Sequence, residues 1–263
     1  MNRAVERVLV KLGGTLLDEE PSRRRLAAEI AQAQRPGLEM VVVHGGGRQM
    51  TRFLAERGVE SRFVNGLRVT TPEVLDAVLK VFAGTVNHQL LAALVQAGTR
   101  PVGLTGIDAA LLEAEPLDPA LGAVGRPARC NPEVLSVLAS NGFLPVVACV
   151  GGDRQGNIYN VNADQMATAL AAGFGCRHVL FLTDVQGVLD ANKQILPSLT
   201  QAESEQLIAK GVATGGMQAK LEAAHQALRN GVGEVSIAPG LEPGILGRLL
   251  AGEAIGTRLA ASR

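Results

Sequence analysis

The chain alternates short apolar runs with glycine-rich turns and helical stretches along most of its length. Runs rich in Val, Leu and Ile stand at 8–10, 40–44, 101–104, 144–150, 178–182 and 235–237, and a short last strand is predicted at 256–259. Helical patterns cover about 49–57, 72–97, 163–172, 201–210 and 217–230, and a further helix begins at Asn131-Pro132. Strands that alternate with helices build a mostly parallel sheet with helices on both faces. The sequence therefore predicts an α/β fold.

Two segments depart from this alternation. Residues 61–71 mix Arg, Phe and Val with an Asn-Gly pair, which is typical of a hairpin or an extended loop. Residues 113–129 are rich in Pro and Gly and have no assignable pattern. No linker or low-complexity segment divides the chain. We expect one domain over 1–263, with an N-terminal lobe of about 1–173 and a C-terminal lobe of about 174–263.

Composition narrows the possible functions. Apolar residues make up 47 % of the chain but aromatic residues only 3 %, so the core should be aliphatic, as in buried parallel strands. Lys plus Arg equals Asp plus Glu at 25 each, which argues against binding nucleic acid or an anionic membrane. No uncharged, continuously apolar run approaches the length of a membrane span. The three cysteines form no CxxC pair, and this fits a reducing cytoplasm.

Two glycine-rich turns follow predicted strands, KLGG at 11–14 and HGGG at 44–47. Glycines let backbone N–H groups approach an anion closely, and Lys11 adds a positive charge beside them. Phosphoryl transfer needs such an arrangement, because negative charge spreads over the transferred oxygens. Either turn can also be a plain connection. The chain lacks GxxxxGK[ST] and GxGxxG, so an ordinary P-loop or dinucleotide site is disfavoured.

Four further residues are candidates for anion handling. Arg68 can hold a carboxylate bidentately, although a lone Arg is usually a surface residue. Asn160 lies on an extended segment before Asp164, which begins a helix and would hold nearby lysines charged. Two glycines precede a helix with Lys220 on its first turn, where the helix N-terminus favours phosphate. Each of these residues could instead be a helix cap or a solvated surface side chain.

Together these motifs resemble the amino-acid-kinase superfamily, and within it the N-acetylglutamate kinases, in order and along nearly the whole chain. The shared pieces are KLGG (11–14), VHGGG (43–47), NGLR (65–68), NxNAD (160–164), TDVQGVLD (183–190), GGMxxK (215–220) and GTRL (256–259). The resemblance implies a three-layer αβα sandwich with a mostly parallel central sheet. The N-terminal lobe would bind the acyl amino acid and the C-terminal lobe ATP.

The resemblance also implies a role for each matching residue. Lys11 and Lys220 would flank the transferred phosphoryl group, and Asp164 would position both lysines. Substrate contacts would come from Gly46, Gly47, Arg68 and Asn160. ATP contacts would come from Gly13, Gly14, Asp184, Val185, Gln186, Gly187, Val188, Leu189, Val212, Ala213 and Thr214. Mg²⁺ would bridge the ATP phosphates with few direct protein ligands, and no metal site of the protein's own is expected.

The implied activity is ATP-dependent phosphorylation of the side-chain carboxylate of N-acetyl-L-glutamate, a step of arginine biosynthesis. We expect a cytoplasmic homodimer with the helix near 72–97 as a plausible interface. Only ten residues precede Lys11, so we expect no inhibition by arginine, which in sensitive relatives needs an extra N-terminal helix. One departure concerns TGIDAA at 105–110, where many relatives have a Lys before the Asp and a Gly pair after it.

Three other hypotheses remain open. A kinase for glutamate or aminoadipate linked to a carrier protein would need basic residues around an open substrate mouth. A catalytically silent ligand sensor could share the scaffold, but both lysines are present. A dinucleotide oxidoreductase is disfavoured by the missing glycine fingerprint.

Overall fold

A computed structural model of the protein describes residues 5–64 and 66–260. Asn65, the first residue of the NGLR motif, lies outside the described residues. The strands are β1 (Glu6–Leu12), β2 (Leu38–His44), β3 (Phe63–Val64), β4 (Leu67–Arg68), β5 (Pro101–Thr105), β6 (Leu112–Pro116), β7 (Val124–Cys130), β8 (Leu144–Ala148), β9 (Val150–Gly152), β10 (Ile158–Val161), β11 (His178–Thr183), β12 (Ser198–Leu199), β13 (Glu234–Pro239) and β14 (Thr257–Ala260). The α-helices are α1 (Glu20–Ala33), α2 (Gly47–Ala55), α3 (Pro72–Val78), α4 (Asn87–Gln96), α5 (Glu133–Ser140), α6 (Ala163–Phe174), α7 (Gln201–Ala209), α8 (Gly215–Arg229) and α9 (Ile245–Leu250).

The central sheet has eight strands in the order β12-β14-β13-β11-β1-β2-β8-β5. Neighbouring strands run parallel except β13 and β14, which pair antiparallel. Helix α1 packs beside α4 and α9, and α6 packs beside α8, so that helices cover the sheet as two outer layers. The predicted αβα sandwich with a mostly parallel sheet is confirmed.

The core is aliphatic, as the composition predicts. Successive residues of β1, β2, β8 and β11 are buried on both sides of the strand rather than alternately. This uniform burial arises because a parallel sheet is covered on both faces. Most of the largest fully buried side chains are leucines, and Phe174 and Phe181 are the exceptions that are aromatic.

A second, smaller sheet was not predicted. Strands β6, β7, β9 and β10 close into a four-stranded barrel, and two of them come from the Pro- and Gly-rich segment that had no assignable pattern. The prediction of one strand over 144–150 was wrong. The chain leaves the central sheet after Ala148, and Val150 begins the barrel strand that pairs with β10. Both environments are apolar, so hydrophobicity alone could not show this break.

The helix predicted at 72–97 is present as a continuous helix, Pro72–Gln96, with a π-helical segment over Leu79–Val86. Its length and apolar composition are those of a possible membrane span, with 44 % of the most apolar window buried inside the protein. Val78, Leu90 and Leu94 are fully buried in the core. The segment is therefore a covering helix of the sheet in this fold.

The segment 61–71 contains the predicted hairpin, formed by β3 and β4. Its turn approaches the start of α8, since a Cβ built on Gly66 would lie 3.8 Å from the carbonyl carbon of Gly215. A segment from the first half of the chain thereby lies against a helix from the second half.

Candidate active site

The candidate site lies where the carboxyl ends of three adjacent strands meet. In the register of the sheet, Leu12 at the end of β1 stands beside His44 of β2 on one side and Leu182 of β11 on the other. From β1 the chain continues to β2 on one side and returns much later as β11 on the other. Ligands of open α/β sheets bind outside the strand ends at such a change of winding direction.

Two cavities that share lining residues occupy this place. The larger, of about 680 Å³, is lined by residues from both halves of the chain, including Lys11, Gly13, Gly14, Gly47, Arg68, Asp184 and Lys220. The smaller, of about 220 Å³, shares part of this lining and adds Gly46, Asn160 and Asp164. The fold therefore gathers most of the residues that the motifs single out. A further cavity of about 660 Å³, between α6 and α8, contains neither lysine.

A carboxylate lies between the two lysines at the centre of the site. Lys11 Nζ is 2.7 Å from Asp164 Oδ1, and Lys220 Nζ is 3.5 Å from Asp164 Oδ2. Asp164 and Lys11 are buried, at 5 % and 6 % exposure. Burial by itself raises the pKa of the Asp164 carboxyl, but the ammonium groups of Lys11 and Lys220 outweigh it and hold this pKa below its usual value. Asp164 is therefore an anion that keeps two ammonium groups close together.

Helix α8 begins earlier than predicted. Gly215 and Gly216 are its first residues rather than a turn before it, and Lys220 lies on the second turn instead of the first. Long side chains on a helix point back toward its N-terminus. The ammonium group of Lys220 accordingly donates to the carbonyl oxygen of Gly216 at 3.4 Å. Lys220 thus reaches the N-terminal end of α8 from one turn further along.

The two glycine turns contact each other through bare backbone. A Cβ on Gly14 would lie 2.9 Å from the backbone nitrogen of Gly47, and a Cβ on Gly46 would lie 2.9 Å from the ring of Phe82. Helix α2 begins at Gly47, and the first N–H groups of a helix have no partner within it. These groups are available to an anion in the cavity.

The N–H group of Gly13 is not available in this way. It donates to the carbonyl oxygen of Leu182 at 2.9 Å, which ties the first glycine turn to β11. The N–H group of Gly13 is thus engaged within the protein, and the assignment of Gly13 to ATP stays a prediction. Gly13 instead lets the chain pass close to Leu182, because a Cβ would lie 3.3 Å from that oxygen.

Arg68 is buried rather than solvated, with 8 % exposure. Its guanidinium donates to the hydroxyl of Thr51 at 2.9 Å, to the carbonyl oxygen of Gly47 at 3.3 Å and to the hydroxyl of Ser61. It also stacks on the ring of Phe63, 4.5 Å from the centroid. Burial lowers the pKa of Arg68 from its usual value. No acidic partner of Arg68 is found among the described residues, so its charge can serve a bound carboxylate.

Asn160 lines the smaller cavity from β10. Its amide nitrogen donates to the hydroxyl of Thr70 at 3.1 Å. Thr70 is fully buried and donates in turn to the carbonyl oxygen of Arg68 at 2.9 Å. Thr70 therefore joins the two residues that the resemblance assigns to substrate carboxylates.

The residues expected around ATP have different surroundings. Asp184 lines the larger cavity, and Val185 and Leu189 are apolar side chains that are each 40 % exposed. Val188 and Ala213 are buried in the core, so these two can contact a nucleotide only through their backbone. Gln186, Gly187, Val212 and Thr214 do not line either cavity.

The structure adds residues that the motifs did not single out as functional. Thr15, Asp18, Arg48, Thr51, Arg52 and Thr183 also line the larger cavity. Thr183 is the first residue of the TDVQGVLD motif, and the others stand within a few residues of a motif on the same turn or helix, which was the available signal. Arg52 is paired with Asp18 at 2.7 Å.

His44 has a structural place in the HGGG turn. It is fully buried, with Nδ1 2.9 Å from the carbonyl oxygen of Gly45 and Nε2 2.9 Å from the amide nitrogen of Asn87. Burial lowers the pKa of His44 to about 4, although the contact with Gly45 acts in the opposite direction. The imidazole is neutral at pH 7 and fixes the glycine turn to the helix that covers it.

The loop at 105–110, which contains the TGIDAA segment, lines neither cavity. Asp108 accepts from the backbone N–H of Thr105 at 2.6 Å and from its hydroxyl at 2.8 Å. Ala109 and Ala110 both have a φ of 52°, in the left-handed region that favours glycine. Two successive alanines thus hold a backbone conformation that L-residues with a Cβ rarely adopt.

A mostly parallel sheet with two lysines around a buried carboxylate, beside backbone N–H groups at a helix start, is the arrangement that a small-molecule kinase needs for phosphoryl transfer. Residues 6–239 match the model of the amino acid kinase family, and the chain belongs to this family. The resemblance found in the sequence is confirmed.

Relatives match over nearly their whole length. The acetylglutamate kinase of Solibacter usitatus (strain Ellin6076) is 62 % identical over 253 residues, which are 96 % of this chain and 98 % of that protein. The acetylglutamate kinase of Koribacter versatilis (strain Ellin345) is 41 % identical over 259 residues, 97 % of this chain and 99 % of that protein. Among solved structures, smu.665 of Streptococcus mutans UA159 superposes with a TM-score of 0.82 at 27 % identity, covering 97 % of this chain and 99 % of that one.

Proposed function

We propose that this protein transfers the γ-phosphoryl group of ATP to the side-chain carboxylate of N-acetyl-L-glutamate and so forms an acyl phosphate in arginine biosynthesis. The observation that carries the proposal is the Lys11–Asp164–Lys220 cluster, placed between two glycine turns and beside the buried Arg68. The high identity to acetylglutamate kinases over almost the whole chain supports the same activity.

The chemistry requires charge stabilisation rather than proton removal. A carboxylate with an ordinary pKa of about 4.3 is already an anion near neutral pH, so it needs no general base. Its difficulty is to approach a phosphate that is also negative. Lys11 and Lys220 offer positive charge on both sides of the reacting atoms, and Asp164 holds them in place before the substrates bind. Positioning and preorganised charge are the main contributions of an enzyme to phosphoryl transfer.

The residues that line the larger cavity suit a nucleoside triphosphate. The larger cavity offers two lysines and the backbone of two glycine turns, and Asp184 in its lining is followed in the chain by the partly exposed Val185. Mg²⁺ would supply charge neutralisation of the phosphates when bound. Asp164 is engaged by both lysines and Asp18 by Arg52, so Asp184 is the carboxylate in the lining of the larger cavity that is better placed to approach the ion.

The acceptor pocket suits an amino acid with a blocked amino group. Arg68 and Asn160 offer hydrogen-bond donors and a positive charge for carboxylates. Among the residues that the structure describes, Asp164 is the one carboxylate that lines the smaller cavity, and it is already paired with two lysines. A free ammonium there would lack a counter-ion, and an unpaired buried charge is costly. An acetyl group removes that charge.

We also propose a division of labour between the halves of the chain. The N-terminal lobe, about 1–173, supplies β1, β2, β5, β8 and the barrel, and would bind the acyl amino acid. The C-terminal lobe, about 174–263, supplies β11 to β14 and would bind ATP. We propose a cytoplasmic homodimer, with β5 at the sheet edge and the helix over 72–96 at the interface, where Val95 is 60 % exposed.

Arg68→Ala should raise the KM for acetylglutamate while the KM for ATP changes little. A hydrogen bond to a charged group contributes roughly 1.5–3 kcal/mol, which corresponds to about a 10- to 150-fold rise in KM. Steady-state kinetics with each substrate varied in turn measures both constants. The matched control is Arg57→Ala, since Arg57 also stacks on a phenylalanine, Phe53, but lines neither cavity. A selective loss of ATP affinity in the Arg68 variant would contradict its assignment to the acceptor.

The activity itself is tested by trapping the acyl phosphate with hydroxylamine across a panel of acids. We expect the highest kcat/KM for N-acetylglutamate and poor turnover of glutamate, aspartate and N-acetyl-aminoadipate. A preference for aspartate or aminoadipate would contradict the proposed acceptor. Absence of activity on every free acid, with ATP bound normally, would favour the kinase for a carrier-linked substrate instead.

A further inference from the structure

Thr257, near the C-terminal end of the chain, has a hydroxyl that contacts two backbone groups of a distant loop. It lies at the start of β14 and is fully buried. Its Oγ1 accepts from the N–H of Val188 at 2.8 Å and donates to the carbonyl oxygen of Leu196 at 2.6 Å. Both partners belong to the segment between β11 and β12.

Those two partners, Val188 and Leu196, are also hydrogen-bonded to each other and so join the two ends of this loop. The N–H of Leu196 donates to the carbonyl oxygen of Val188 at 2.8 Å, and Leu189 pairs with Ile195 in the next step of the ladder. The reciprocal bond, from the N–H of Val188 to the oxygen of Leu196, is replaced by the hydroxyl of Thr257. A hydroxyl can accept one hydrogen bond and donate another from the same oxygen atom. A valine side chain, which has the same shape as threonine, can do neither.

Gly187 allows the strand to approach the loop this closely, and Gly256, beside Thr257, allows β14 to pass close to β13. A Cβ on Gly187 would lie 2.9 Å from Thr257 Oγ1, and Gly187 has a φ of 153°. A Cβ on Gly256 would lie 2.1 Å from the carbonyl oxygen of Ile237, and Gly256 has a φ of 71°. The contact between β14 and the loop therefore depends on specific residues on both sides.

The loop connects this contact to the active site. It begins with Asp184, which lines the larger cavity, and it carries the partly exposed Val185 and Leu189 on either side of Val188. Fixing the backbone of Val188 limits the positions that these neighbours can take. A bound nucleotide would otherwise have to order the loop, and ordering a backbone segment costs conformational entropy.

We propose that Thr257 is a positioning residue for ATP, which acts by bridging Val188 and Leu196 and so holds the loop over 184–189 in its nucleotide-binding shape. This inference rests on the proposed function, in which that loop borders ATP. Thr257 itself lines neither cavity and touches no reacting group.

The test compares Thr257→Val, which keeps the branched shape but loses the hydroxyl, with Thr257→Ser, which keeps the hydroxyl. Calorimetric titration with Mg²⁺ and a non-hydrolysable ATP analogue should show about tenfold weaker binding for the Val variant. The Ser variant should bind within about twofold of the unaltered protein. The KM for the acceptor, measured at saturating ATP, should not change in either. Thr257→Ala provides the same loss of hydroxyl in case the Val variant does not fold.

Thr99→Val is the matched control. Thr99 is also buried, its hydroxyl donates to the carbonyl oxygen of Leu94 at 2.9 Å, and it lines neither active-site cavity. This variant should lose stability without losing nucleotide affinity. Wild-type affinity in Thr257→Val, equal weakening in Thr257→Ser, or a similar loss in Thr99→Val would each overturn the proposal. The titration contains no acceptor, so its result for Thr257 holds whether or not acetylglutamate is the substrate.

Discussion

Lys11→Met should lower kcat by about 10²–10³ while the binding of ATP changes much less. The side chain of Lys11 is buried beside Asp164 at the end of β1, where its charge faces the cavity. Such a charge stabilises the transition state more than the ground state, because negative charge spreads over the transferred oxygens as the reaction proceeds. Methionine fills a similar volume without the charge. Initial-rate kinetics and separate titration with an ATP analogue distinguish the two effects.

Lys220→Met should behave in the same way, since Lys220 meets the same carboxylate from α8. Lys80→Met is the control for loss of a lysine, because Lys80 is exposed on the covering helix and paired with Asp76 outside the cavities. Its kcat should equal that of the unaltered protein. Near-normal kcat in either Lys11→Met or Lys220→Met would show that the assigned role of that lysine is wrong.

Asp164→Asn should reduce both activity and stability. Asparagine leaves two ammonium groups near each other without the anion that compensates them, one of them deeply buried. Removing one partner of a buried ion pair costs about 3–5 kcal/mol of the free energy of unfolding. The lysines would also lose their fixed positions, so kcat should fall by about 10²-fold, the effect of losing a preorganised electrostatic contact. Urea denaturation and initial rates measure the two effects.

Glu39→Gln is the matched control for Asp164→Asn. Glu39 also forms an ion pair, with Arg7 at 2.8 Å, but its partner side chain is 35 % exposed and the pair lies at the beginning of β2. A partly exposed pair contributes about 0–1 kcal/mol, so this variant should change stability little and kcat not at all. An Asp164 variant that is as stable and as active as the Glu39 variant would contradict the role of Asp164 in holding the two lysines.

Much of the fold could be predicted because its signals are local. The apolar runs that became β1, β2 and β11 are each contiguous, and glycine turns follow β1 and β2. Pro72 marks the start of a long helix through its fixed φ and missing N–H. The order of motifs along the chain was also sufficient to show the family.

Other features could not be predicted because they arise from contacts between distant residues. The barrel forms when β6 and β7 pair with β9 and β10, and none of these strands has a strong pattern of its own. The break between β8 and β9 after Ala148 could not be predicted from hydrophobicity, because the residues on both sides of it are buried in apolar surroundings. The hydrogen bond of Gly13 to Leu182 likewise depends on the neighbouring strand and removed one of the expected anion donors.

The sequence by itself determined the class of fold, the family and the identity of the candidate residues, because periodicity, turn chemistry and motif order are properties of neighbouring residues. Only the tertiary structure decided how those residues meet. It placed Lys11 and Lys220 around Asp164, buried Arg68, and set Thr257 at the base of the loop that begins at Asp184. Burial and distance depend on how the whole sheet and its helices pack, and that packing brings together residues far apart along the chain.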